Sequence, residues 1–395
     1  MNNSLTTLDV TPITSTLIPD LTSLITRQNP YSISGGTYGD VYKCTYCGPD
    51  GIEEVAVKAF RSVYFNARRF RRELGIWKRL RHSNILKFMG TATGFSPSEA
   101  LVAPWMTNGT LTSFLLRNKT LGLHDRLLLL RDIAAGLNYL HTFSLTEDRH
   151  MGLNPIVHGD LTGTNVLIDG NRKAYLADFG LSGTLNKLAD MTYLVQTSCH
   201  PGAVRWTAPE LISEEELASA ATTRSDMYSF GCIMLQVLTG DIPWRHLTKD
   251  IAVLLKVAEG KMHPRPDDCF VTDKQWDFMT CCWSTTPNNR PPAEEAVYFV
   301  DSALCTRTSR EIPTLISINA IPSPSADHTR IWHHGARSSA DYVTQPCYSM
   351  YSGPSPKLIA RLELYALFHD SFKKGHVPSN CPTRLEAQLF QASQA

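Results

Sequence analysis

A glycine-rich run and a lysine–glutamate pair have the residue types that hold phosphate. Residues 34–41 lie between two β-prone segments and contain Gly35, Gly36 and Gly39. Glycines let a backbone approach a ligand closely because they lack a Cβ atom. Lys58 ends the next β-prone run, and Glu73 follows fifteen residues later in a helical pattern. A strand lysine that faces a helix glutamate can grip phosphate oxygens. The glycines alone decide little, since plain hairpin turns also use them.

Three short motifs follow in order. Residues 158–165 read His-Gly-Asp-Leu-Thr-Gly-Thr-Asn, residues 178–180 read Asp-Phe-Gly, and residues 208–210 read Ala-Pro-Glu. Each motif alone could arise by chance. Together with the glycine-rich run and Lys58, and in this order, they resemble the motifs of the eukaryotic protein kinases. The resemblance covers about residues 31–305.

Other short runs look most like the tyrosine-kinase-like group of that family. They are Trp-Met at 105–106, Val-Arg-Trp at 204–206 and Ser-Asp-Met-Tyr-Ser-Phe-Gly at 225–231. Gly159 replaces the arginine that usually precedes the catalytic aspartate, so the chain resembles the non-RD type of kinase. Because that arginine pairs with a phosphorylated activation loop, we expect little switching through this contact.

The resemblance implies an α+β, bilobal protein kinase fold, with a small β-rich N-lobe that has one main helix and a larger, mostly helical C-lobe. The hydrophobic patterns agree, because β-rich runs dominate residues 31–89, with one helical stretch at 66–80, and helical spacing dominates after residue 127. We expect a flexible leader at 1–30, a kinase domain at 31–305, and a mostly disordered tail at 306–395 with a helical pattern at 356–372.

Charge and cysteine content limit the partners and the compartment. The 395 residues include 38 Lys and Arg and 37 Asp and Glu, for a net charge of +1. No overall field therefore attracts nucleic acid or an anionic membrane. The cysteines show no disulfide-rich spacing, and no apolar run is long enough for a signal peptide or a membrane span. We expect a cytoplasmic protein that binds neither nucleic acid nor membranes.

Within the resemblance, five residues form the catalytic set: Lys58, Glu73, Asp160, Asn165 and Asp178. Lys58 would hold the α- and β-phosphates of ATP, and Glu73 would orient it. Asp160 would accept the proton of the substrate hydroxyl. Asn165 and Asp178 would bind Mg²⁺, a hard cation that prefers oxygen ligands, with Mn²⁺ as an alternative.

The resemblance also implies a nucleotide pocket. Three apolar residues would enclose the adenine ring: Val41, Ala56 and Leu167. Pro104 O and the N–H of Met106 would face the polar edge of adenine. Ala103 stands at the entrance to a rear pocket, which so small a side chain should leave open. The phosphates would contact the glycine-rich run through Ser34, Gly35, Gly36, Thr37 and Gly39.

Four polar residues near the motifs are expected to be structural. Glu210 and Arg290 look like a buried ion pair that anchors the activation segment. Asp226 resembles the helix residue that accepts backbone N–H bonds from the catalytic loop, residues 158–165. His158 would pack against Phe179 and would not act as a base.

Three positions depart from the motifs: Ser34, Gly159 and Thr162. Thr162 stands where a lysine usually reaches the γ-phosphate, and losing one such charge costs on the order of 3 kcal/mol, or about 10² in rate. Because Lys58 and the metal ligands are present, we expect a protein kinase of intracellular signalling that transfers the γ-phosphate of ATP to protein hydroxyls, favouring Ser or Thr over Tyr. The alternative is a pseudokinase or nucleotide-binding scaffold with weak or no transfer.

The tail has one feature that suggests a partner. Its apolar residues are spaced by four, three, three and four positions: Leu358, Leu362, Tyr365, Phe368 and Phe372. This spacing favours one helix face, so 356–372 could dock on the kinase domain or on a protein partner. A transient helix in a disordered tail is the alternative. The sequence does not identify the protein substrate.

Overall fold

The computed structural model describes nine stretches of the chain, at residues 18–35, 39–61, 70, 74–97, 99–143, 155–178, 202–212, 221–266 and 271–308. The sequence predictions for Gly36, Thr37, Glu73 and Phe179 lie outside the described residues, as does the predicted helix at 356–372.

Antiparallel strands dominate the first part of the chain. They are β1 Ile25–Arg27, β2 Ser34–Gly35, β3 Gly39–Gly48, β4 Gly51–Phe60, β5 Gly90–Ala92 and β6 Ala100–Pro104. The sheet has the order β1-β3-β4-β6-β5, and β2 also pairs with β3. Residues 70 and 74–77 are helical, within the helix predicted for 66–80.

Alternation along β4 gives this sheet two different faces. Every second residue at the end of β4 is buried: Val55, Val57 and Ala59. These side chains pack in a small apolar cluster with residues of β3, β5 and β6. Ala56 and Lys58 alternate with them and therefore lie on the other face. Leu101 and Ala103, their partners on β6, belong to the main core. Lys58 thus lies on the face that turns toward the helices.

Helices dominate the second part. They are α1 Leu111–Arg117, α2 Leu123–Thr142, α3 Thr223–Thr239, α4 Asp250–Ala258, α5 Asp273–Cys282 and α6 Ala293–Thr308. A small sheet contains β7 Gly109–Thr110, β8 Val166–Ile168 and β9 Ala174–Leu176. Short 3-10 turns occur at Thr22–Leu24, Ala203–Trp206, Pro209–Leu211 and Pro287–Asn289. The α+β, two-lobed architecture predicted from the sequence is confirmed.

Helix α3 is the centre of the helical lobe. All residues from 225 to 238 are buried, including the polar Asp226 and Gln236, so the helix has no solvent-facing side over this stretch. Thr222 and Ser225 form a capping box at its start, and Gly240 ends it in a left-handed conformation, φ 81°. Both ends are therefore fixed by local hydrogen bonds, which makes this helix a rigid support for the loops packed on it.

The small sheet is hydrogen-bonded to the segment that precedes β5. Leu86 N donates to Leu176 O, and Leu176 N donates to Asn84 O, each at 2.9 Å. The Asn84 side chain also donates to Ala174 O at 3.1 Å. Because β9 ends two residues before Asp178, these bonds fix the position of Asp178 relative to the first sheet.

Only residues 18–30 of the predicted flexible leader are described. Among them, Leu21 is buried in the small apolar cluster, and residues 25–27 form β1. This stretch shows no helical or strand period in the sequence because it is short and has one buried side chain. At the other end, α6 continues past the predicted limit at 305 to Thr308. The domain limits otherwise stay predictions. Among the described residues, no helix is both long and apolar enough to cross a bilayer.

A histidine is buried between two tryptophans of the helical lobe. The His263 ring centroid lies 4.4 Å from that of Trp244 and 4.5 Å from that of Trp283. Its Nε2 lies 3.5 Å from Cys232 Sγ, and its Nδ1 has no hydrogen-bond partner in the described part of the chain. Burial lowers the pKa of His263 to about 3, because the charged ring would lose its hydration.

We predict that His263 makes the fold less stable as the pH falls from about 6.5 toward 3. In this range the unfolded chain binds a proton at this histidine and the folded chain does not, so protons favour unfolding. At pH 5 the cost is about 2 kcal/mol, at about 1.4 kcal/mol per pH unit. Urea unfolding at pH 7.5 and pH 5 measures it.

The His263→Phe variant should lose about 2 kcal/mol less than the parent between these two pH values. His124→Gln, at an exposed position on α2, is the matched control and should behave like the parent. An identical loss in the parent and in His263→Phe would contradict the prediction.

Candidate active site

One buried carboxylate on α3 holds the start of the catalytic loop. Asp226 is 1% exposed. Its Oδ2 accepts a hydrogen bond from His158 N at 2.8 Å, and its Oδ1 accepts one from Gly159 N at 2.9 Å. His141 Nε2, at the end of α2, lies 2.9 Å from Asp226 Oδ2. The predicted role of Asp226 is confirmed.

Gly159 has a backbone reason to be glycine. Its φ is 75°, in the left-handed region where a side chain is strained. This conformation occurs where two successive N–H groups, of His158 and Gly159, both point at Asp226. Gly159, which replaces the usual arginine, therefore suits the backbone conformation in which the loop binds Asp226.

Asn165 is hydrogen-bonded to Asp160 within the loop. Its Nδ2 donates to Asp160 Oδ2 at 2.9 Å and to Asp160 O at 2.7 Å. With both amide hydrogens engaged, the polar atom left on the Asn165 side chain is the carbonyl oxygen, which is the donor atom that a hard cation prefers. Asn165 O accepts from Ala177 N at 2.9 Å, which connects the loop to the residue before Asp178.

Lys58 and Asp178 form an ion pair between the first sheet and the helical lobe. Lys58 extends from β4, and Asp178 follows β9 with a φ of 63°, a left-handed conformation that is uncommon outside glycine. The Asp178 side chain is 43% exposed, so it faces an open space and not the core. The structure thus brings together four of the five predicted catalytic residues in two pairs, Lys58 with Asp178 and Asp160 with Asn165.

The strand register places the predicted adenine-pocket residues on the face that carries Lys58. Val41 lies opposite Lys58, and Ala56 lies opposite Ala103. Directly opposed residues of antiparallel strands share a face. Leu167, on β8, is partly buried and packs against the main core. The openness of a rear pocket behind Ala103 stays a prediction.

The segment after β6 is fixed by main-chain bonds. Trp105 N donates to Glu54 O at 3.0 Å, and Met106 O accepts from Gly109 N at 2.9 Å. The Met106 carbonyl is therefore already used in a turn, which leaves its N–H as the expected contact for adenine. Lys43 lies 5.3 Å from the Trp105 ring, a cation–π contact that also holds this segment against β3.

The glycine-rich run is described at its two ends. Ser34 lies opposite Val41 and Gly35 opposite Asp40, so the two described ends of the run pair as antiparallel strands, which we call the glycine-rich hairpin. Asp40 pairs with Arg61, whose Nη2 and Nε lie 2.7 and 3.1 Å from its two carboxylate oxygens. Sequence reasoning missed this pair, which connects the hairpin to the end of β4.

Thr162 is buried and is not available to reach a phosphate. It is 4% exposed, and its Oγ1 lies 2.8 Å from Thr164 Oγ1. The neighbouring Gly163 packs against two side chains, since a Cβ atom there would lie 2.4 Å from both Gln236 Oε1 and Thr112 Oγ1. Thr112 N donates to Gly163 O, and Gln236 Nε2 donates to Thr112 Oγ1, each at 3.0 Å. No motif in the sequence predicts this support of the loop.

The predicted ion pair of Glu210 and Arg290 is confirmed. Two nitrogens of the fully buried Arg290 side chain each lie 2.6 Å from a Glu210 oxygen. Arg290 also donates to Ser284 O and Arg224 O, so its charge is fully hydrogen-bonded. Sequence reasoning missed Arg205, which binds Asp250 and the backbone that follows α3.

His158 is buried, as predicted for a structural residue. Burial lowers the pKa of this imidazole, so the ring is neutral near pH 7. Its Nδ1 accepts a hydrogen bond from Asp160 N at 3.3 Å. The ring therefore positions the backbone of the catalytic loop, and the predicted contact with Phe179 lies outside the described residues.

Comparison with known proteins identifies the family. A family model described as protein tyrosine and serine/threonine kinase matches residues 28–299. The chain belongs to this family. The resemblance to eukaryotic protein kinases is thereby confirmed, and relatives named as serine/threonine kinases agree with the predicted group.

Three relatives show the extent of the similarity. The serine/threonine-protein kinase STY17 of Arabidopsis thaliana is 29% identical over 276 residues, 69% of this chain and 44% of the relative. Human serine/threonine-protein kinase TNNI3K is 30% identical over 278 residues, 69% of this chain and 31% of the relative. Probable serine/threonine-protein kinase SIS8 of A. thaliana is 33% identical over 297 residues, which are 74% of this chain and 26% of the relative. The chain spans less than half the length of these relatives.

Proposed function

We propose that this protein is an ATP-dependent kinase that phosphorylates Ser or Thr hydroxyls of other proteins. The observation that carries the proposal is the arrangement of the two pairs, Lys58 with Asp178 and Asp160 with Asn165, joined through Ala177. Phosphoryl transfer needs positioning and charge stabilisation more than covalent chemistry, and these side chains supply both. The names of the serine/threonine kinase relatives support the choice of acceptor.

Lys58, on the inner face of the first sheet, would neutralise phosphate oxygens of ATP. Asp178 and the carbonyl oxygen of Asn165 would hold Mg²⁺ or Mn²⁺, which supplies charge neutralisation for the transferred group. No cluster of three or more His, Cys, Asp or Glu able to bind a metal occurs in the described part of the chain. Two side-chain oxygens suit an ion whose remaining ligands are phosphate oxygens and water.

Asp160 would act on the acceptor. Its carboxylate takes the proton of the substrate hydroxyl as that oxygen bonds to the γ-phosphorus and the bond to the β–γ bridging oxygen breaks, so that ADP leaves. The amide of Asn165 donates to one Asp160 oxygen and so orients the carboxylate. Asp226 does not touch the substrate in this scheme. It positions the loop through His158 and Gly159.

The cellular setting is part of the proposal. We propose an intracellular signalling enzyme of the cytoplasm whose partner is a protein substrate, as the kinase family implies. The net charge of +1 argues against attraction to nucleic acid or to an anionic membrane. The segment 356–372 is proposed as a contact for a protein partner on its sequence pattern.

We predict phosphate transfer by the purified full chain from γ-labelled ATP, with Mg²⁺ or Mn²⁺, to generic protein acceptors. Asp160→Asn should lower kcat at least about 10²-fold, because it removes the proton acceptor. The same variant should still bind ATP, and ATP at a hundred times its Kd should stabilise both proteins by about 2.7 kcal/mol in thermal unfolding. Asp301→Asn, on the exposed side of α6, is the matched control and should keep full activity.

Transfer that does not exceed the level of Asp160→Asn would contradict the proposed kinase. Stabilisation by ATP without transfer would then select a nucleotide-binding scaffold, and the absence of both would select a protein that signals without nucleotide.

We predict that Thr162→Lys raises kcat. The buried threonine offers no charge to the γ-phosphate, whereas a lysine there would reach it, and one such charge is worth up to about 10² in rate. Thr306→Lys, at an exposed position on α6, is the matched control for added charge alone. A Thr162→Lys protein that folds but transfers no faster than the parent would show that the missing charge does not limit the rate.

A further inference from the structure

Residues 18–24, which we call the strap, lie across the outer face of the first sheet. Near its start, Pro19 O accepts from Thr91 N at 2.9 Å, and Leu21 N donates to Thr91 O at 2.8 Å. Thr91 lies on β5, at one edge of the sheet. The strap then runs directly into β1, which pairs with β3 at the opposite edge. The strap therefore links the two edges and closes the sheet into a ring.

A notch in β5 receives the strap. A Cβ atom at Gly90 would lie 2.4 Å from Pro19 O and 2.9 Å from Leu21 Cγ. Gly90 lies in a strand and is not among the glycines with positive φ, so the backbone itself would accept alanine. Glycine at position 90 is therefore needed for the close contact with the strap and not for its backbone conformation.

Besides the two main-chain bonds to Thr91 and the partly buried Ile18, the strap is held by one buried side chain and by side-chain hydrogen bonds that are exposed. Leu21 is buried against residues of the small apolar cluster, including Val57 and Val102. The Thr22 hydroxyl donates to Asp20 Oδ1 at 2.5 Å and accepts from Thr93 N at 2.9 Å, in exposed positions. Exposed hydrogen bonds contribute little net stability, and a segment with so few buried contacts opens more readily than the core.

The strap leads into the glycine-rich hairpin along β3. Arg27, at the end of β1, stacks on Tyr42 and Phe95 at 4.8 and 4.3 Å from their ring centroids. Gln28 N donates to Lys43 O at 3.2 Å, and Ile33 N donates to Val41 O at 2.9 Å. The same short stretch thus connects the closure of the sheet to the hairpin expected over the phosphates. The match to the family model begins at residue 28, after the strap.

We propose that the strap is a releasable closure of the sheet that keeps the glycine-rich hairpin in place, so that its release weakens nucleotide binding. The nucleotide part of this proposal rests on the proposed function. The closure itself does not, because it follows from the contacts of Leu21, Thr91 and Gly90.

A double-mutant cycle in the full chain tests the closure by thermal unfolding. Gly90→Ala should lower the melting temperature by about 3 °C or more, because its Cβ atom displaces the strap. In a Leu21→Ser background, where the strap has lost its one buried side chain and opens more readily, Gly90→Ala should lower the melting temperature much less or raise it, since alanine is less costly than glycine in a strand. Gly122→Ala, where a Cβ atom meets open space, is the matched control.

If Gly90→Ala lowers the melting temperature equally in both backgrounds, the proposed closure is wrong. For the nucleotide part, Leu21→Ser should raise the KM for ATP several-fold and leave kcat within about twofold. An unchanged KM would overturn the link to the hairpin. If the parent chain shows no phosphate transfer, the Kd for ATP measured by calorimetry replaces KM. The melting cycle still reports on the strap in that case. A failure of the proposed function is therefore distinguished from a failure of this inference.

Discussion

The carboxylate of Asp226 is the constraint on which the active-site geometry depends. It is buried on the central helix α3, and a buried charge is stable only when hydrogen bonds replace its lost hydration. Those bonds come from His158 N, Gly159 N and His141 Nε2. The catalytic loop therefore cannot leave α3 without leaving a charge unpaired. Asp160 follows Gly159 directly, so this contact also fixes the position of Asp160.

From this anchor the geometry extends toward the first sheet. The Asn165 side chain donates to Asp160, and the backbone carbonyl of Asn165 accepts from the N–H of Ala177. Asp178 follows directly and pairs with Lys58 across the space between the sheet and the helices. The bonds from His158 and Gly159 to Asp226 and the ion pair of Lys58 with Asp178 join residues far apart in the sequence, and the short link from Asp160 to Asn165 completes one connected unit. The buried Thr162 is the point where this unit lacks the positive charge that the family usually supplies.

The sequence predicted the parts of this unit that short motifs encode, and it failed where the reason lies in distant contacts. Lys58, Asp160, Asn165 and Asp178 were found because they stand in motifs that resemble those of the protein kinases. The two-lobed architecture followed from the same resemblance and from the order of β-rich and helical runs. The notch at Gly90 could not be predicted, since its reason is Pro19, seventy-one positions away. The same is true of Gly163 with Gln236, and of the strap, whose one buried side chain gives no period to detect.

The most direct measurement of the central claim is single-turnover phosphate transfer by Asp226→Asn. The amide nitrogen replaces one of the two oxygens that accept from His158 N and Gly159 N, so the loop should lose one of its two anchoring bonds while the Lys58 face of the sheet is unchanged. The account predicts a fall in the transfer rate of about 10² or more with the affinity for ATP within about threefold of the parent. A folded Asp226→Asn protein that transfers phosphate at the parental rate would contradict it.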